Sequence, residues 1–114
     1  MNTIEQFQLL INILKDPQAT ITEKDDAVIY LSQHNNDRVV SALVELGQKM
    51  EEDEIVLNSC GESLGEIWVK RNKFYPDLYS FLLSTVRYGI FYVIKHDKPE
   101  WIEQYQLDQD NFKD

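Results

Sequence analysis

The sequence predicts an all-α fold of five to six helices arranged as stacked hairpins, and three observations carry that prediction. Apolar residues recur at i, i+3, i+4 and i+7 along nearly the whole chain. Only 4 Gly and 3 Pro occur in 114 residues, too few turn-formers for a many-stranded sandwich. The helical segments also echo one another: Ala27 and Leu31 correspond to Cys60 and Leu64, and Leu10 and Ile13 to Leu43 and Leu46, all at an offset of 33. A period of that size marks helical pairs that cannot bury an apolar face alone and stack to do so.

The first helix is expected over residues 3–15, with Phe7, Leu10, Ile11 and Leu14 as its buried stripe. Thr3 and Gln6 fit a capping box, and Asp16-Pro17 ends the segment. The second is expected over residues 22–33, capped by Thr22 and favoured by Glu23, Asp25 and Asp26 at its positive end. Its inner side is Ala27, Val28 and Leu31; His34-Asn35-Asn36 is a turn. The third spans residues 37–50, with Val39, Val40, Leu43, Leu46 and Gly47 inward. After the polar turn Glu51-Glu52-Asp53-Glu54, the fourth runs over residues 53–71, with Leu57, Cys60, Leu64, Ile67 and Trp68 in line.

Pro76 opens a fifth helix, expected to be continuous over residues 75–96. Its apolar arc is broad, from Leu78 to Ile94, and only Ser80, Ser84 and Arg87 form a polar seam, so contacts on two sides are expected. A strand over residues 88–94 is the one rival, but it would have little to pair with. Pro99 begins a short last helix with Trp101, Ile102 and Tyr105, and the tail 108–114 is expected to be frayed and solvated. The length fits one domain over residues 1–114.

Charge is the most informative part of the composition. The net charge is −9, from 20 acidic and 11 basic residues. Residues 1–69 hold 13 acids against 4 bases, whereas residues 70–114 hold 7 of each, so all the net charge lies in the first part. That field disfavours nucleic acid and favours a basic partner. A single Cys60 permits no internal disulfide and suits a reducing compartment. The start of the chain lacks a basic, then apolar, leader, and no stretch is apolar enough for a membrane span, so a cytoplasmic location is expected.

Asp37-Arg38-Val39-Val40-Ser41-Ala42-Leu43-Val44-Glu45-Leu46 resembles the first helix of a HEAT-like repeat, and Ser59-Cys60-Gly61-Glu62-Ser63-Leu64-Gly65-Glu66-Ile67 its second. The resemblance is good over residues 37–68, weaker over 3–35 and loose over 75–96. It implies a short right-handed solenoid whose second helices line a concave face. Families of this construction include scaffolds, lyase-related proteins, DNA-repair enzymes and bacterial immunity proteins. In size, acidity and want of catalytic motifs the chain is most similar to the last group, the immunity proteins of contact-dependent inhibition and other polymorphic toxin systems. That implies a cytoplasmic toxin inhibitor that binds a cognate basic toxin domain, such as a nuclease. A HEAT-like adaptor with another protein partner, or a small-ligand-binding helical protein, are the alternatives.

Candidate contact residues follow from the repeat. At the 33-residue offset, Asn58 corresponds to Asp25 and Ser59 to Asp26, while Asn58, Glu62 and Glu66 form one stripe at four-residue spacing. Stacked in register, Asp25, Asp26, Asn58, Glu62 and Glu66 would lie side by side on second helices, with Glu51, Glu52, Asp53 and Glu54 near the rim. Tyr88 and Tyr92, beside the polar seam, are candidate aromatic anchors. A solvated face is the plainer account of these charges; docking of a Lys/Arg-rich partner is the functional one. Gly61 and Gly65, one turn apart, predict a close backbone approach. No catalytic residue is assigned: Glu62 and Glu66 read as exposed, and there is no phosphate loop or Ser elbow. His34, His96 and Cys60 lack metal-ligand spacing, so no metal or other cofactor is expected. The broad fifth helix also leaves room for a homodimer contact.

Overall fold

The computed structural model describes residues 5–107. Among them are seven α-helices and no strand: α1 (Gln6–Lys15), α2 (Ile21–Leu31), α3 (Asp37–Leu46), α4 (Glu54–Arg71), α5 (Pro76–Phe81), α6 (Ser84–Asp97) and α7 (Glu100–Gln104). Thr3 of the expected first cap and the tail 108–114 lie outside the described residues.

The helices sit in two layers. α1 and α3 lie side by side, Gln8, Ile11 and Lys15 facing Arg38, Ala42 and Glu45 across a shallow groove. α2, α4 and α6 form the other layer and run parallel. Lys24 reaches Glu52, Ser63 Oγ donates to the Val28 carbonyl (2.9 Å), and Lys70 Nζ donates to the Ser32 carbonyl (3.3 Å), so partners on α2 and along α4 ascend together. Likewise Gly61 lies against Val86 and Gly89, and Gly65 against Ile90 and Val93. The core between the layers includes Ile11, Leu14, Ala27, Val28, Leu31, Val39, Leu43, Leu46, Leu64, Ile67 and Trp68.

α4 is the hub. It is buried over most of its circumference, including Val56, Leu57, Cys60, Ser63, Leu64, Ile67 and Trp68. Its two glycines are what let α6 approach. A Cβ on Gly61 would meet the Val86 carbonyl oxygen, and one on Gly89 would lie 2.5 Å from the Asn58 carbonyl oxygen. The expected backbone contact is present, and Gly89 supplies its other half.

Several boundaries differ from expectation. α2 is capped by Thr20, not Thr22: Thr20 Oγ1 accepts from the Glu23 N–H and Glu23 Oε1 accepts from the Thr20 N–H, a full capping box. The Thr20 N–H first, and the Thr20 hydroxyl second, hold the Glu23 carboxyl below its ordinary value. α3 stops at Leu46, four residues early, because Gly47 ends it and residues 47–53 become a loop.

The largest correction is the fifth helix, which is two. Leu82 and Leu83 are extended (ψ 152° and 154°) between α5 and α6. The Leu83 N–H donates to the Gly47 carbonyl (3.0 Å) instead of continuing the helix. Leu82 is buried beside Gly47, and Phe81 points to solvent. A continuous helix over residues 75–96 would run about 33 Å back along α4 in one piece. The break instead brings the chain to the start of α4, so α6 runs parallel to it over the glycine contact. The breadth of apolar residues that suggested two-sided contacts thus belongs to two helices with different faces.

α7 closes the C-terminal side. Trp101 and Leu107 are buried, and Phe74 stacks near Trp101 (6.0 Å) and Tyr105 (4.6 Å). No helix among the described residues is long and apolar enough to cross a membrane.

Candidate protein-docking face

The outer face of the α2–α4–α6 layer gathers most of the residues singled out by the repeat. On α4 the narrow stripe left outside the core carries Ile55, Ser59, Glu62 and Glu66. The Asn58 amide donates to Glu62 Oε1 at 3.1 Å, which steadies that carboxylate at the layer surface. On α2, Asp26 is exposed and Asp25 half-buried; Asp25 Oδ1 is shut from solvent and accepts no hydrogen bond from a described residue. On α6, Tyr92 is half-exposed and its ring stacks on His96 (4.5 Å), whose Nδ1 lies 2.9 Å from the Tyr92 carbonyl oxygen. Tyr88, one turn earlier, is exposed to the same extent.

The rim acids divide. Glu51 and Glu54 are exposed. Glu52 is spent inside the fold: its carboxylate pairs with Lys24 Nζ (3.3 Å) and accepts the Asp53 N–H (3.1 Å), tying α2 to the start of α4. Asp53 is the N-cap of α4, its Oδ1 accepting the Ile55 N–H at 2.8 Å. These two acids therefore have structural partners, whereas Asp26, Glu62 and Glu66 form no ion pair with a described residue.

An apolar part of this surface lies outside the residues the repeat points to. Ile29 (49% exposed) and Ile55 (62%) stand on the face beside the acids, and Tyr30 (56%) stands at its margin. Ile29 and Ile55 fall off the i, i+3, i+4 stripe of their own helices, where a large apolar residue faces outward, whereas Tyr30, three residues after Ala27, does not stand apart in the sequence. Carboxylates interleaved with half-exposed Ile and Tyr make a surface with both steering charge and anchoring area.

Cys60 is buried, its Sγ donating to the Leu43 carbonyl (3.1 Å), and burial, with the Glu52 charge second, pushes its thiol far above the ordinary value. Among the described residues no group of three or more His, Cys, Asp or Glu is placed to hold a metal ion. His34 packs on Phe7 at 6.1 Å and so belongs to the first hairpin. No protein-family model, no curated protein and no solved structure matches the chain.

Proposed function

We propose that this protein is a protein-binding module of HEAT-like construction, an immunity-type inhibitor that holds a basic toxin domain against the α2–α4–α6 face and blocks it by occlusion rather than by chemistry. The observation that supports the reading most is the parallel second-helix layer. Its helices carry Asp26, Glu62 and Glu66 outside the core, together with exposed Ile29, Ile55 and Tyr92. Acids alone would be a solvated surface. Acids around large apolar side chains fit a partner that is both basic and able to bury area.

The test has two parts. Co-purification with the product of the neighbouring toxin-like gene should yield a stable complex; a neighbour that encodes no such domain, or one that does not bind, removes the immunity role. Glu62→Lys combined with Glu66→Lys should then slow association at least tenfold at low salt while leaving the circular dichroism unchanged. The difference should shrink as added salt shortens the screening length below about 10 Å. Association rates equal to wild type at low salt would take the acidic stripe out of the interface.

A further inference from the structure

The two ends of the helical stack are finished differently. At the α6 side, α7 lies across the end and Trp101, Phe74 and Leu107 seal it. At the α1–α2 side nothing among the described residues covers the edge. α1 presents Leu9 (50% exposed) with Ile13 one turn on and partly buried, and α2 presents Tyr30 (56%). Stacked helical arrays ordinarily end in a polar outer surface, because an apolar edge invites another helix to continue the stack. The apolar edge here is bordered by one sign of charge. Glu23, Asp26 and Tyr30 fall at i, i+3 and i+7 on α2, so two exposed acids share a stripe with the exposed ring.

We propose that this open edge seats a basic amphipathic helix of the partner, stacked beside α1 and α2 as a further element of the layer. The chemistry selects that occupant. A second copy of this chain would bring Glu23 and Asp26 against their own counterparts, in a molecule already carrying −9, and like charges facing across an interface are repulsive. A helix with Leu-type residues on one side and Lys or Arg flanking them covers Leu9, Ile13 and Tyr30 while its cations meet Glu23 and Asp26. This deepens the reading above and rests on it: Asp26 lies between Tyr30 and Ile29 around α2, so the edge is continuous with the acidic face, and the partner wraps from one onto the other.

The experiment uses the full chain and a labelled helical peptide of Leu and Lys at amphipathic spacing, with a second peptide carrying Glu at every Lys. Fluorescence anisotropy should show binding of the Leu/Lys peptide and none of the Leu/Glu peptide. Leu9→Gln with Tyr30→Gln, which leaves net charge untouched and changes only exposed side chains, should weaken binding at least tenfold. Glu62→Gln with Glu66→Gln should weaken it less than threefold. The reverse ranking overturns the edge as the helix site while leaving the acidic-face reading intact. Equal effects of both pairs, or no binding of the Leu/Lys peptide by the wild-type chain, also overturn the proposal. So does a dimer in sedimentation that Tyr30→Gln dissolves, since the edge would then belong to a second copy. Failure of the neighbouring gene product to bind sinks the immunity reading whichever way the peptides behave.

Discussion

Gly61 and Gly89 face each other where α4 and α6 cross, and their effect on stability runs against local propensity. An Ala in place of a mid-helix Gly ordinarily gains about 1 kcal/mol. At Gly61 the new methyl would enter the Val86 carbonyl, a backbone atom that cannot turn aside. Gly61→Ala should therefore destabilise by about 2–3 kcal/mol, the scale of core overpacking, read as a drop in the urea midpoint. A rise in the midpoint would mean that the helices do not touch there. Cys60 carries a pH dependence of definite sign. Its thiol is held protonated by burial in the fold, whereas the unfolded chain ionises near about pH 8.5. The raised folded value means that its contribution is whole below that pH and is lost as pH rises above it. Wild-type protein should lose more stability than Cys60→Ala on going from about pH 7.5 to about pH 9.5 in urea melts; parallel losses would contradict the burial.

At the scale of elements, the break at Leu82 and Leu83 decides where α6 goes. Ser84 is the first residue of α6 and follows an extended Leu83 (φ −63°, ψ 154°), the conformation a following proline favours. Ser84→Pro should thus cost less than a proline in a helix interior, since proline is accepted at the first helical position. In a continuous helix the same change would cost about 3 kcal/mol. Thermal melts of that one variant separate the two architectures. The glycine contact was legible in the sequence because Gly61 and Gly65 fall one turn apart on a helix with a clear stripe. The break was not, because Leu82 and Leu83 suit a helix locally. What opposes it is the Leu83 N–H bonded to Gly47, a residue 36 positions earlier.

For the whole molecule, α4 touches α2, α3 and α6, whereas α5 and α7 are short and peripheral. Amides of α4 should exchange with deuterium only through global unfolding, and those of α5 and α7 earlier. Protection in α5 equal to that in α4 would mean that the peripheral helices belong to the same cooperative unit. The same arrangement explains how the candidate surface could be read only in part. Asp26 on α2 and Glu62 and Glu66 on α4 stay outside the core of two parallel helices that pack side by side. Glu52 and Asp53 looked equivalent in the chain, yet the first turns to Lys24 and the second caps α4.

The all-α class and the buried stripes of the first four helices are legible in the sequence, because helical periodicity is a local property set by residues three and four apart. Helix packing sets which exposed side remains uncovered, which acids find partners inside the fold, and where the chain turns back before α6. Those depend on contacts between residues tens of positions apart, and the open edge at Leu9 and Tyr30 is visible only once every neighbour is in place.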